Sequence, residues 1–436
     1  MNNLSFRKYT TIIAHNDLLS FLNEKDPRIF HRKFNDLEYR ISKEISKGRD
    51  LANSQTGLDF VRELKLADLV GEYSTTKEDI QMLNYPRIQL LHFLVEITNK
   101  CNMNCLYCYT EANEHIHEEK ELSGEEWIDL FSRLRINSRF ITQNISLSGG
   151  EPTVHPSFDK ILRSLSGKYK IEISSNGLYL KKQVIDAIVD CESLHFLNIS
   201  MDSMYKKEDE IMRGGGTFEK RLQNLKILSK YEVPVCIGVV VSSINIDSLE
   251  ETTRFYLERF GNTSIKYIPL TEIGRATRLN IPYQFLSGKN AVRFNEKIIN
   301  LKKEYGNRVL SDISNKNKGT SHWSGRCYHM KYQSEPLTFA HKELEPERCN
   351  AGYGVVNIGP SGRLRPCLRA DSFFKDTLDR MPKELIMPRI KGKNYEEISN
   401  LDFWEYVSSE VNGFNPIQTC AFKTGIKNRV GKENGH

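Results

Sequence analysis

The chain has 436 residues, 39% of them hydrophobic and 27% charged, with a net charge of +6. That length predicts two or three folded units, and the composition is that of an ordinary soluble globular protein. The positive bias is mild for so long a chain: it argues against a dedicated nucleic-acid binder and leaves room for an acidic substrate. The N-terminus has no apolar signal region, and the longest apolar run, Val233 to Val241, is far shorter than the ~20 residues that span a bilayer. The expectation is a cytoplasmic protein with no membrane and no nucleic-acid partner. In a reducing compartment its nine cysteines are poor candidates for disulfides, and clustered ones are metal ligands or reactive thiols.

Residues 1–88 are polar and charged, with helical stretches predicted around Asp36–Ser46 and Asp59–Leu69, a turn near Gly71 and an extended segment after it. No chemical motif falls there, and the segment reads as a cap on the main domain or as a small peptide-binding module. From Leu90 the pattern becomes regular. Leu91–Thr98 reads as a strand, and Ser123 with Glu126 forms a capping box that opens an amphipathic helix through Leu134. Strands follow at Ile145–Leu147, Tyr169–Ser174, Leu194–Met201, Val233–Val241 and Ser264–Leu270. Helices alternate with them at Pro156–Leu165, Leu180–Val189, Thr217–Tyr231 and Asp247–Phe260. Strands alternating with helices imply a parallel sheet with right-handed crossovers. Six such steps fall short of eight, so the α/β fold predicted is a partial (βα)6 TIM-like barrel, with its chemistry at the C-terminal strand ends. A helix of roughly 284–305 and a cysteine-bearing region from Cys327 to Cys420 complete the chain. The units expected are 1–88, 89–280 and 281–436.

Cys101, Cys105 and Cys108 lie within eight residues directly after the first barrel strand. Three thiolates at that spacing can hold three irons of a cubane 4Fe–4S cluster and leave the fourth open to an outside chelator, whereas four would close every iron. A zinc site would need a fourth ligand, such as His115 or His117.

Cys-x3-Cys-x2-Cys with Tyr107 before the last cysteine resembles the signature of radical S-adenosylmethionine (SAM) enzymes. The resemblance implies a 4Fe–4S cluster whose open iron chelates SAM, reductive cleavage of SAM to a 5′-deoxyadenosyl radical, and an electron donor such as flavodoxin or ferredoxin. Further segments match in order. Gly149, Gly150, Glu151 and Pro152 match the family's GGEP motif, in which Glu151 would accept from the SAM ammonium; the plain alternative is a strand-to-helix turn. Ser175-Asn176-Gly177 resembles Thr-Asn-Gly, and Ser200 with Asp202 resembles the pair that binds the SAM ribose. Arg213 would meet the methionyl carboxylate or form a surface salt bridge. Asn245 follows the fifth strand, and Gly274-Arg275-Ala276 resembles a family segment after the sixth.

Cys349 and Cys367 flank a predicted strand–glycine turn–strand hairpin that looks like the opening of a SPASM domain. Such domains, and the shorter twitch domains, hold auxiliary 4Fe–4S clusters. The later cysteine run is missing here. Cys327, Cys349, Cys367 and Cys420 suffice for one fully ligated auxiliary cluster and not two, so a truncated, twitch-like domain is expected; the alternatives are relic thiols without a cluster, and Cys327 as a hydrogen-atom donor. Leu368 stands where sulfatase-maturing relatives carry an acid, which removes that base. Cys191 and Cys236 read as packing residues.

These likenesses imply an enzyme that abstracts hydrogen from a precursor peptide and installs a cross-link, epimerisation or related change. Residues 1–88 would then be a winged-helix-like module for the leader peptide. The alternatives are a radical SAM enzyme acting on a small molecule and a non-catalytic iron–sulfur scaffold or sensor.

Overall fold

A computed structural model describes residues 5–6, 10–15, 18–23, 26–33, 36–45, 55–66, 70–71 and 80–84 of the N-terminal region. Beyond these it describes 92–112, 119–136, 143–270, 274–278, 286, 288–311, 355–365 and 388–402. Cys327, Cys349, Cys367 and Cys420 lie outside the described residues.

The N-terminal region has its own buried core. Strands β1 (Ser5–Phe6), β2 (Thr10–His15), β3 (Leu18–Asn23) and β4 (Asp26–Lys33) precede helices α1 (Asp36–Ile45) and α2 (Gln55–Leu66). Strands β5 (Val70–Gly71) and β6 (Ile80–Asn84) follow. The larger sheet runs β4-β3-β2-β6, antiparallel except for β6, which is parallel to β2. Phe6, Ile12 and Phe21 from the strands pack with Ile41, Ile45, Phe60 and Leu64 from the helices. The helices fall close to where amphipathic spacing puts them. Strands β2, β3 and β4 are not legible in the pattern, because the dipeptides between them, Asn16-Asp17 and Glu24-Lys25, carry no glycine to mark a hairpin.

The main sheet has nine strands. Six parallel strands form its centre: β7 (His92–Glu96), β8 (Asn144–Ser148), β9 (Lys170–Ser175), β10 (Leu194–Ser200), β11 (Val235–Val241) and β12 (Thr263–Pro269). A seventh, β13 (Val309–Ser311), pairs parallel with β12. Strand order follows chain order from β7 to β13. Every crossover therefore steps the same way, which puts the connecting helices on one face and curls the sheet toward a barrel. Those helices are α3 (Gly124–Arg133), α4 (Phe158–Leu165), α5 (Lys182–Val189), α6 (Lys206–Arg213), α7 (Phe218–Leu228), α8 (Leu249–Arg259) and α9 (Gly288–Tyr305). The capping box opens α3: Glu126 N–H donates to Ser123 Oγ at 3.2 Å, and Ser123 N–H to the Glu126 carboxylate at 2.7 Å. α6 is an addition to the sequence reading; its run Lys-Lys-Glu-Asp-Glu masks any apolar period.

Alternation along the strands sorts the faces. Phe93, Val95, Ile145, Leu147, Ile171 and Ile173 join the helix-side core with Trp127 and Phe131, whose rings stack at 5.5 Å. Each such side chain contributes roughly 1.5–3 kcal/mol on burial. The residues between them (His92, Ser146, Glu172 and their neighbours) form the inner face. The C-terminal hairpin, β14 (Val355–Ile358) and β15 (Leu364–Arg365), is part of the same sheet, with β14 parallel to β7. A last helix, α10 (Tyr395–Ser399), buries Ile398 in the main core. Among the described residues no helix is long and apolar enough to cross a membrane.

Candidate active site

The C-terminal ends of β7 to β12 carry the residues singled out from the sequence. Residues 97–112 leave β7 as a loop bearing the three cysteines, all half-buried. The loop is held from four sides. Glu121, ahead of α3, accepts from Thr98 Oγ1 at 2.9 Å and Asn99 N–H at 2.7 Å. From the turn after β8, Gly150 N–H donates to Thr98 O and Glu151 N–H to Lys100 O, both at 2.8 Å. The backbones meet so closely that a Cβ on Gly149 would lie 2.3 Å from Thr98 O, and one on Gly150 2.3 Å from Lys100 O. Gly149 also has φ 136°, which glycine alone adopts without strain. From beyond β12, Arg275 N–H donates to Cys108 O at 3.0 Å and its guanidinium to Ala112 O at 2.8 Å. From the end of α6, Met212 O accepts from Leu106 N–H at 3.0 Å.

Burial pushes the Cys101 thiol up to about 12 and raises Cys105 as well, with Arg213 pulling the latter back. Such thiols stay protonated unless a metal displaces the proton. Among the described residues no three His, Cys, Asp or Glu side chains form a site for a metal ion. Three thiols on one loop are the donor set of a cubane cluster with one iron left open.

Glu151 is buried with its carboxylate directed into the protein. Oε1 accepts from Thr153 N–H (3.1 Å), Thr153 Oγ1 (2.6 Å) and Ser175 Oγ (2.8 Å), and Oε2 accepts from Asn176 N–H (2.6 Å). Burial raises its pKa while these donors oppose the shift. The GGEP turn and the Ser175-Asn176 turn are thereby locked together. Pro152 starts the short 3-10 turn that follows. Asn176 Nδ2 donates to Asn102 Oδ1 at 2.8 Å and lies 3.8 Å from Cys101 Sγ, so β9 touches the cysteine loop directly.

Asp202 ties the loop to β10 and β11. It has no exposure. Its carboxylate accepts from the Tyr107 hydroxyl, from Arg213 at 2.8 Å and from Val240 N–H at 2.8 Å. The Arg213 pair is buried, so the surface salt bridge weighed for that residue does not form. Ser200 remains half-buried at the strand end. Asn245 Nδ2 donates to Asp202 O (2.7 Å) and Val240 O (2.9 Å). Behind them Asp209 and Arg221 form a wholly buried ion pair; Asp209 accepts from Asp202 N–H at 2.8 Å, and Arg221 donates to Ser200 O at 2.9 Å. Sequence reasoning missed Glu121, Asp209 and Arg221. Each sits in a charged stretch that reads as solvated surface, and none belongs to a motif.

The chain carries a radical SAM domain: the radical SAM superfamily model matches residues 95–256, the span from β7 into α8. Two similar proteins come from Bacillus subtilis. The sporulation killing factor maturation protein SkfB is 22% identical over 325 residues, 71% of this chain and 70% of that one. The antilisterial bacteriocin subtilosin biosynthesis protein AlbA is 23% identical over 315 residues, 71% of this chain and 59% of its own length. The chain thus spans less than two thirds of AlbA. Among solved structures, Streptococcus suis SuiB bound to S-adenosylmethionine matches with a TM-score of 0.59 at 14% identity, over 93% of this chain and 90% of that one. SuiB bound to its precursor peptide SuiA matches with a TM-score of 0.60 at 12% identity and the same coverage. These two likenesses are of fold. Radical SAM proteins use a 4Fe–4S cluster and SAM, which agrees with the three-thiol loop.

Proposed function

We propose that this chain is a peptide maturase of the radical SAM type, with residues 1–88 as leader-binding module, 89–280 as catalytic core and 281–436 as a twitch-like domain. The observation that carries the reading is a sheet-and-helix unit with its own core ahead of the radical SAM domain, in a chain whose whole-length fold likeness is to a protein solved with a precursor peptide. The maturation proteins SkfB and AlbA, each aligned over 71% of this chain, support it further.

The cluster and SAM, when bound, supply the 5′-deoxyadenosyl radical; the chain's own residues hold and shield them. Cys101, Cys105 and Cys108 ligate the cluster. Asn176 beside Cys101 and the Gly149–Gly150 turn keep water from one side of it. Ser200, half-buried at the end of β10, meets the ribose, while Asp202 fixes Tyr107 and Arg213 around Cys105 rather than facing solvent. Glu151 orders two turns, and its remaining acceptor capacity serves the SAM ammonium. In the N-terminal module, β4 and β6 are the sheet edges among the described residues, and an extended leader adds to one of them as a further strand. One auxiliary 4Fe–4S cluster is held by Cys349 and Cys367, with Cys420 and Cys327 completing it. Flavodoxin or ferredoxin delivers the electron.

The test is co-expression with the short peptides encoded by open reading frames flanking the gene. A mass change in one of them, lost in the Cys101→Ala/Cys105→Ala/Cys108→Ala variant, supports the reading; SAM cleavage with every such peptide unmodified overturns it in favour of a small-molecule substrate. Iron analysis tests the second cluster: about eight irons per chain match two cubanes, and about four remove the auxiliary one.

A further inference from the structure

Behind the strand end that carries Ser200 and Asp202 lies a pair of charges that reaches neither the cysteines nor solvent. Arg221 on α7 and Asp209 on α6 form an ion pair with no exposure of either side chain. Buried pairs are weak contributors to stability: taking both charges out of water offsets their attraction, and well-packed apolar side chains often serve as well. What this pair supplies is direction.

Arg221 aims each limb of its guanidinium at a different partner. Nη2 donates to Asp209, Nη1 to Ser200 O at 2.9 Å, and Nε to Thr217 Oγ1 at 3.3 Å. Asp209 Oδ2 accepts from Asp202 N–H at 2.8 Å. The backbone is therefore held on both sides of Met201: the carbonyl of Ser200 from α7, and the amide of Asp202 from α6. Ile199 and Met201 belong to the helix-side core, so Ser200 between them is on the inner face, half-buried at the strand end. Pinning its carbonyl fixes where its hydroxyl stands. The helix that carries Asp209 also reaches the cysteine loop. Met212 O accepts from Leu106 N–H at 3.0 Å, and Arg213 donates to the Asp202 carboxylate at 2.8 Å.

We propose that Arg221 and Asp209 are positioning residues for SAM, holding the backbone from Ser200 to Asp202 so that the Ser200 hydroxyl meets the ribose. This rests on the reading of Ser200 as a ribose contact. It adds the parts of the chain that aim it.

The test is SAM binding, measured by equilibrium dialysis on reconstituted holoenzyme without reductant, so that no turnover enters. Iron content and melting temperature are recorded for each variant. Asp209→Leu/Arg221→Met replaces the pair with apolar side chains. It should melt near the wild type, bind as much iron, and bind SAM about three- to tenfold more weakly, the loss expected for one hydrogen bond. Arg221→Lys keeps a charge beside Asp209 without the fork that also reaches Ser200 O, and its affinity should fall between the two. With SAM analogues lacking the 2′- or the 3′-hydroxyl, the wild type and the double variant should bind one of the two alike, because the contact at stake is then missing from both proteins. A double variant that binds SAM as tightly as the wild type overturns the proposal. So does one that loses iron, or that binds SAM and both analogues more weakly by the same factor, since the pair is then a support of the fold. Ser200→Ala separates the two failures. If it binds SAM as the wild type does, the ribose reading itself fails; if it binds more weakly while the double variant is unaffected, the positioning pair alone fails.

Discussion

Single residues carry two kinds of constraint here, contact and charge. Gly150 is a contact constraint: the cysteine loop closes against it through Lys100 O and Asn99 O, 2.3 and 2.6 Å from where a Cβ would stand. Both are backbone atoms and cannot swing aside. Gly150→Ala should therefore leave the barrel folded and lower the iron bound after reconstitution. Gly261→Ala, where a Cβ meets nothing within 4 Å, should bind iron as the wild type does. Glu172 is a charge constraint. It is buried on the inner face, and burial holds its carboxyl up at about 7, opposed by the Ser146 hydrogen bond and by Lys266. As pH rises from about 4.5 to about 7 the unfolded chain releases this proton and the folded chain keeps it, so the group's contribution to stability falls through that window and is flat above it. His92, hydrogen-bonded to the same Ser146 hydroxyl at 2.7 Å and held down at about 4 by burial, acts oppositely, costing stability as pH falls from about 6.5. Comparing Glu172→Gln with the wild type by thermal denaturation separates the two. The variant's relative stability should grow between pH 5 and 7.5, by up to about 3 kcal/mol; a difference constant with pH would contradict the assignment. The cysteines, Gly149–Pro152 and Asn176 were legible as motif residues. Glu172 and His92 were not, because one polar residue in a strand looks the same whether it faces water or the inside of a barrel.

At the scale of elements, the hairpin β14–β15 extends the barrel sheet beyond β7. Asn357 Nδ2 donates to Leu94 O at 2.9 Å, and Arg365 meets Glu96 at 2.8 Å. Glu96 is 3% exposed. Removing Arg365 takes a cation from that buried carboxylate, and breaking a buried pair from one side is destabilising, by up to about 3–5 kcal/mol. Arg365→Met should lower the denaturation midpoint strongly, and Arg365→Met/Glu96→Gln should recover part of the loss. A single variant as stable as the wild type would show that the hairpin does not dock through this pair. Sequence found the hairpin from its glycine turn and flanking cysteines. Its union with β7 was out of reach, since 263 residues separate Asn357 from Leu94 and no local pattern records which edge a strand joins. The barrel helices were legible for the opposite reason: their apolar spacing and the Ser123 capping box are local signals.

For the whole molecule, the N-terminal core and the barrel core are separate clusters, and the barrel core also takes in the C-terminal hairpin and α10. The barrel was foreseeable from alternation alone, but the N-terminal sheet was not. The partition is what the proposed division of labour requires, with a leader held by one part and radical chemistry at strand ends that the C-terminal hairpin adjoins. Everything proposed depends on the three-cysteine loop working as a SAM-cleaving centre. The most direct measurement is 5′-deoxyadenosine formation by anaerobically reconstituted protein given SAM and dithionite. The wild type should form 5′-deoxyadenosine well above background and Cys101→Ala/Cys105→Ala/Cys108→Ala none above background; a wild type at background with its iron bound would contradict the assignment of the loop.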